Sequence, residues 1–157
     1  MSMYVNFYLK SRDGKFNPIG SFSRNSEIYQ TFYRGLPYEK VKPITENRLS
    51  EAVGELESRI IAANKQIDDY WQVINEQIPK WNNPVSEKIE SIANYREAIR
   101  DKEQEIDEYR FTIGYFNSLK AIIDDVGYND GYSKDKYIYA GVEVGDEDGN
   151  IEVVEEN

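Results

Sequence analysis

Carboxylates and tyrosines are the side chains available for chemistry in this chain of 157 residues, which contains no His and no Cys. Without imidazole or thiolate there is no neutral-pH base of the usual kind and no sulfur nucleophile. Disulfides and zinc sites built from nitrogen and sulfur ligands are excluded as well. Asp and Glu number 29 against 19 Lys and Arg, a formal net charge of -10. Paired carboxylates can act as acid and base in glycoside cleavage, but at this abundance some pair falls at a suitable separation by chance. No glycine-rich phosphate loop, dinucleotide fingerprint or nucleophile elbow occurs. A calcium loop with Gly131 or Gly149 at its sixth position would put Val126 or Val144 where a carboxylate is required. A looser set, Asp124, Asp125, Asn129 and Asp130, reads as a solvated turn. The chain is therefore expected not to be an enzyme, with no cofactor and no metal site.

Binding chemistry is better supplied. Residues 97–108 hold Glu97, Asp101, Glu103, Glu105, Asp107 and Glu108 against Arg100 and Lys102. Such a run is either the wet face of a helix or a surface that presents negative charge to a basic partner. Tyrosine is abundant, with 13 in all. It offers a large contact area with only two side-chain torsions and a polar tip, which suits interfaces. Tyr4, Tyr8, Tyr137 and Tyr139, in the segments outside the long helices, are candidate contact residues; the alternative is that they fill a small core. Lys10, Arg12, Lys15 and Arg24 interleave with Tyr4, Tyr8 and Phe22, a pattern seen in single-strand binders. The overall negative charge argues against direct binding of nucleic acid. Residues 1–43 carry seven basic and three acidic side chains, so the acidity belongs to the rest of the chain, including residues 143–157 with seven acids and no base.

These residues need elements to position them. Val5, Phe7 and Leu9 alternate with Tyr4, Asn6, Tyr8 and Lys10, which predicts a half-buried strand. Asp13-Gly14 predicts a type I′ hairpin turn into a second strand over 16–22, placed at an edge by Pro18. Ser23 to Ser26 offer caps for a short helix that Gly35 and Pro37 end, and 35–43 is a stiff connector. From a cap at Thr45, the residues Leu49, Val53, Leu56, Ile60, Ala63, Ile67, Tyr70 and Ile74 recur at alternating spacings of 4 and 3, a heptad seam. Over roughly 33 residues this is a helix about 50 Å long, ended by Pro79. A second helix is expected from Pro84 to about Val126. Its seam is Ile89, Ile92, Ile99, Ile106, Tyr109, Ile113, Phe116 and Ile123, with a bend or loosened turn near Lys102 and Gly114. Gly127 and Asn129-Asp130-Gly131 read as its stop. Residues 137–144 read as a strand, 145–150 as a polar loop, and Ile151–Val154 as a short strand pairing back.

The fold class expected is α+β: a long antiparallel helical hairpin, coiled-coil-like, projecting from a small β head built from N- and C-terminal strands. It forms a single domain over 1–157, with 1–43 and 128–157 as the β-rich head and 44–127 as the hairpin. Trp71, Tyr95 and Tyr115 fall off the best seam positions, which leaves self-association into a homo-oligomer as an alternative use of the stalk. No run of 18 apolar residues and no basic leader occurs, so no membrane contact and a cytoplasmic location are expected.

Small size, richness in Lys, Asn, Tyr and Ile, absence of Cys and an acidic end together give a chain that resembles the small acidic accessory proteins of bacteriophages of Gram-positive hosts. Some of these are anti-CRISPR or other anti-defence inhibitors. The resemblance is compositional and carries no functional residue across. The charge split and the missing catalytic groups lead to the expectation of a non-enzymatic acidic module that binds another protein, a basic nucleic-acid-handling one, through the acidic stalk and the Tyr-rich head; the resemblance adds that it is a phage-type inhibitor. The alternative is a self-assembling structural coiled-coil protein.

Overall fold

The structure, a computed structural model, describes residues 3–11, 13–130, 137–145 and 151–154, without the side chains of 126–130. Its described elements are β1 (Tyr4–Lys10), β2 (Phe16–Ser23), α1 (Glu27–Phe32), β3 (Lys42–Pro43), α2 (Glu46–Gln72), α3 (Val85–Asp130) and β4 (Ile138–Val142). They give the expected α+β class: an antiparallel four-stranded sheet from N- and C-terminal strands, and two long helices packed as a hairpin. The chain divides into two compact units, one from the residues up to Gly54 together with those from Thr112 onward, the other from Glu55–Phe111.

In the first unit the strand order is β2-β1-β4-β3. β1 pairs with β2 from Tyr4↔Ser23 to Lys10↔Phe16, with a bulge at Phe7/Tyr8, and with β4 from Val5↔Val142 to Leu9↔Ile138. Pro18 lies on the outer strand β2, where a missing N–H breaks no ladder. The turn before β2 departs from the type I′ expectation. Gly14 has φ of 86° while Asp13 does not have positive φ, and Gly14 N–H donates to Ser11 O at 3.0 Å. One left-handed glycine closes this hairpin, in place of the left-handed pair that a two-residue loop would need. The expectation of a half-buried β1 is also corrected. Val5 and Phe7 face one core, but Tyr8 is buried on the opposite face with Val41 and Tyr139, against Phe16, Val144 and Ile151. That second cluster exists because the C-terminal segment crosses to the connector. Val153 bridges Val41, and Val41 N–H donates to Glu152 O at 2.9 Å; Ile151–Val154 therefore does not pair back on β4.

The main core of this unit is aromatic. Phe7 packs against Phe22, Phe32 and Tyr115 at centroid distances of 6.1, 5.5 and 5.6 Å, and Phe32 against Phe116 at 5.3 Å. Ile28, Ile44, Leu49, Leu119 and Ile123 are fully buried beside them. Tyr115, which does not fit the heptad seam, has its place here. Its hydroxyl donates to Ile19 O at 3.5 Å, and burial pushes its pKa up to about 12. Ser26 caps α1 by accepting from Tyr29 N–H at 3.2 Å, and Thr45 caps α2 by accepting from Arg48 N–H at 3.1 Å, both as the sequence indicates.

The second unit is the part of the hairpin between Glu55 and Phe111. Leu56, Ala63 and Ile74 are buried on the α2 side of the seam, and Ile99, Ile106 and Tyr109 on the α3 side. After Gln72 the helix loosens into a π turn over Val73–Gln77 and a 3-10 turn over Ile78–Lys80 that carries Pro79. The looser turn therefore falls ahead of Pro79, while α3 runs unbroken through Lys102 and Gly114. It also continues past Gly127 to Asp130, so Asn129 and Asp130 are helical. Helix propensity near 1 kcal/mol is a weak force beside the packing of flanking Phe116, Leu119 and Ile123. Ile89 is 62% exposed, whereas Trp81 and Tyr95 pack against the Ile74, Ile78 and Ile99 cluster that Ile89 was expected to join. Gly131 and Gly149, invoked above as possible loop glycines, lie outside the described residues, as do Arg12 and most of the acidic 146–157 stretch. No described helix is long and apolar enough to cross a membrane.

Candidate functional site

The acidic run lies on α3, and helical phase divides it. At 3.6 residues per turn, Glu90, Glu97, Asp101 and Glu108 fall within roughly 20° of one line along the helix. Ser86, Glu87, Ala93, Asn94, Gln104 and Glu105 flank them, and no Lys or Arg falls on this band, about 120° wide. Glu90, Glu97, Asp101 and Glu108 are all exposed. From Glu90 to Glu108 the band is about 27 Å long at 1.5 Å rise per residue. Glu103 and Asp107, nominated from the same run, point elsewhere. They share a different face with Arg96, Arg100 and Arg110, where both signs of charge are mixed along the helix.

Glu105 is on the rim of the band and is already engaged. One carboxylate oxygen accepts from the Tyr109 hydroxyl at 2.6 Å and the other from Lys102 Nζ at 3.2 Å. The Tyr109 hydrogen bond, then Lys102, with the Arg59 charge behind them, hold its pKa below the usual carboxylate value. Arg59 in turn lies 6.0 Å from the Tyr109 ring centroid and pairs with Glu55 at 2.7 Å. Glu105 is thus engaged within its own helix, with the Arg59 charge of α2 nearby. Glu87 and Glu90 escape notice when the run is read as consecutive residues; counting in steps of three and four finds them.

The nominated tyrosines divide in the same way. Tyr8, Tyr137 and Tyr139 are buried to 6% exposure or less, so their area is spent inside the first unit. Phe16 meets Tyr139 edge-on at 5.2 Å, and Lys10 Nζ lies 5.7 Å from that ring. Tyr4 is exposed, and its backbone N–H donates to Glu143 Oε1 at 2.7 Å.

A different group of tyrosines surrounds an open recess of about 550 Å³ in the first unit, lined by Met3, Arg24, Tyr29, Gln30, Tyr33, Leu36, Tyr38 and Val142. Tyr29 and Tyr33 stack at 4.9 Å between centroids with an interplanar angle of 12°. Tyr38 is 55% exposed. Two non-glycine residues beside the recess have left-handed backbones: Glu39, next to Tyr38, with φ of 63°, and Glu143, next to Val142, with φ of 52°. Hydrogen bonds fix them, from Glu39 N–H to Val142 O at 2.7 Å and from Glu143 N–H to Tyr4 O at 2.9 Å. Tyr29, Tyr33 and Tyr38 also lie outside the long helices, but gathering them around one recess needs the connector folded onto β4, which local sequence does not encode.

Comparison with protein-family models, with curated proteins and with solved structures finds no match.

Proposed function

We propose that the protein is a non-enzymatic acidic module that binds another protein through the basic-free band of α3. The observation that carries this reading is the alignment of exposed Glu90, Glu97, Asp101 and Glu108 on one helical face. A band of like charge on a rigid helix attracts a basic surface at long range and fixes its register on docking. Four carboxylates over about 27 Å are sparser than the one charge per ~1.7 Å of duplex nucleic acid. The band therefore suits the rim of a basic groove better than it suits replacing a duplex charge for charge. With the compositional likeness to phage anti-defence proteins, the finer reading is an inhibitor that occupies such a groove on a nucleic-acid-handling complex.

The test is capture from bacterial lysate with the full chain as bait, followed by titration of the captured partner against salt. Joint charge reversal at Glu90, Glu97 and Asp101 is expected to weaken binding at least tenfold and flatten its salt dependence. Reversal of Glu103 and Asp107 should change it little. Equal capture by both variants rejects the band as the contact.

Self-assembly is a second reading, favoured by Ile61, Val85, Ile89 and Phe111, each more than 60% exposed. Because the seam residues Leu56, Ala63, Ile99 and Ile106 are buried within one chain, such an assembly would use other helix faces. Sedimentation across a hundredfold range of concentration separates the two, since only the second reading expects mass to rise.

A further inference from the structure

The recess between α1, the connector and β4 has chemistry that the acidic band does not use. Ligand sites are concave, typically about 300–1,000 Å³, with aromatic walls and a few polar groups that fix orientation. At about 550 Å³, with three tyrosines, one arginine and one glutamine, this recess lies within that range. Its backbone groups are largely spent: Val142 N–H donates to Pro37 O, Tyr33 N–H to Tyr29 O, and Arg24 N–H to Met3 O. Gln30 Nε2 is held by Arg24 O. What remains for a ligand is the ring surface and hydroxyls of Tyr33 and Tyr38, since Tyr29 is only 4% exposed, and the Arg24 side chain, which is exposed and makes no side-chain hydrogen bond or ion pair among the described residues. Guanidinium presents a planar fork of donors matched to phosphate, and tyrosine faces accept planar rings. The left-handed residues Glu39 and Glu143 add a further sign. Non-glycine residues in this conformation persist only where surroundings over-determine them, and they cluster at ligand clamps.

We propose that this recess binds a small molecule made of a planar aromatic ring bearing a phosphate, with the ring against the tyrosines and the phosphate on Arg24. A nucleoside monophosphate and a simple aryl phosphate share this chemistry. A cationic guest is disfavoured, because Arg24 lines the same space.

The experiment is a two-dimensional amide NMR titration of the full chain with AMP, phenyl phosphate, adenosine, inorganic phosphate and tetramethylammonium. Saturable shifts are expected at Arg24, Gln30, Tyr33 and Tyr38 with AMP or phenyl phosphate, and the tighter of the two identifies the source. Adenosine and inorganic phosphate, each carrying half of the recognition, should bind at least tenfold more weakly. Arg24→Gln should weaken the phosphate-bearing ring about tenfold, the effect of one charge-assisted hydrogen bond, and Tyr38→Ala by a similar factor. Both side chains are exposed, so an unchanged spectrum for Glu55–Phe111 and the buried aromatics certifies each variant's fold. The proposal is overturned if neither phosphate probe gives saturable shifts at the recess, or if both variants bind as wild type does. Preferential binding of tetramethylammonium also overturns it. Reversal of the α3 carboxylates leaves this titration unchanged, so the two proposals fail separately.

Discussion

Glu105 shows how one side chain can be miscast by its neighbours in sequence. It sits in the most acidic stretch of α3, yet its two oxygens serve Tyr109 and Lys102. Its pKa is lowered in the fold, so its contribution to stability is fully present above the unfolded value of about 4.3 and is lost as pH falls through the folded value. Glu105→Gln should lower the urea midpoint at pH 7, with the difference from wild type shrinking as pH drops below about 4. A constant difference down to pH 3 would show that the carboxylate charge is immaterial. Tyr115 gives the opposite sign. Burial raises its pKa to about 12, so its neutral form favours the fold fully below about pH 10, and that favour is lost as pH rises toward 12. Tyr115→Phe should remove the part of the alkaline destabilisation that occurs between those limits, measured by near-ultraviolet circular dichroism.

At the scale of elements, glycine positions separate propensity from packing. A Cβ at Gly114 meets nothing within 4 Å, so Gly114→Ala should stabilise the protein by about 1 kcal/mol, a rise of roughly 2–4 °C in Tm. A Cβ at Gly141 would sit 1.8 Å from Lys40 O. Gly141→Ala must push the connector off β4 and should cost about 3 kcal/mol, the upper end for overpacking. Calorimetry of the two variants reads both effects, and a stable Gly141→Ala protein would contradict the close approach of connector and strand. What the sequence made legible follows the range of the forces involved. The seam from Leu49 to Ile74, the Ser26 and Thr45 caps and the edge placement of Pro18 all depend on neighbours a few residues away. The two-sided burial of Tyr8 and Tyr139, the bridge of Val153 to Val41 and the recess around Tyr33 depend on partners scattered along the chain, and no local period announces them. The acidic band was half legible: its charge was visible as a run, its direction only once Glu90 and Glu108 were placed by helical phase.

For the whole molecule, the order of the chain through its two units matters most. Glu55–Phe111 is continuous in sequence, whereas the sheet unit is assembled from segments on both sides of it. Local contacts form at low entropic cost and distant ones do not. A chain ending at Asp130, without β4, should therefore keep most of its far-ultraviolet helical signal and lose the near-ultraviolet aromatic signal of the Phe7, Phe22 and Phe32 cluster. Joint loss of both signals would mean that the hairpin cannot stand without the sheet. Because β4 lies between β1 and β3, the last of the described strands in chain order occupies the interior of the sheet. Leu9 pairs with Ile138, 129 positions later. At translation speeds of about 5–20 residues per second, a nascent chain carries one unpaired flank of β1 for roughly 6–26 s before its partner is synthesised. During that interval the exposed backbone is open to capture by a chaperone or by the same strand on a neighbouring polysome, so yield in a cell should respond to elongation rate more than to equilibrium stability.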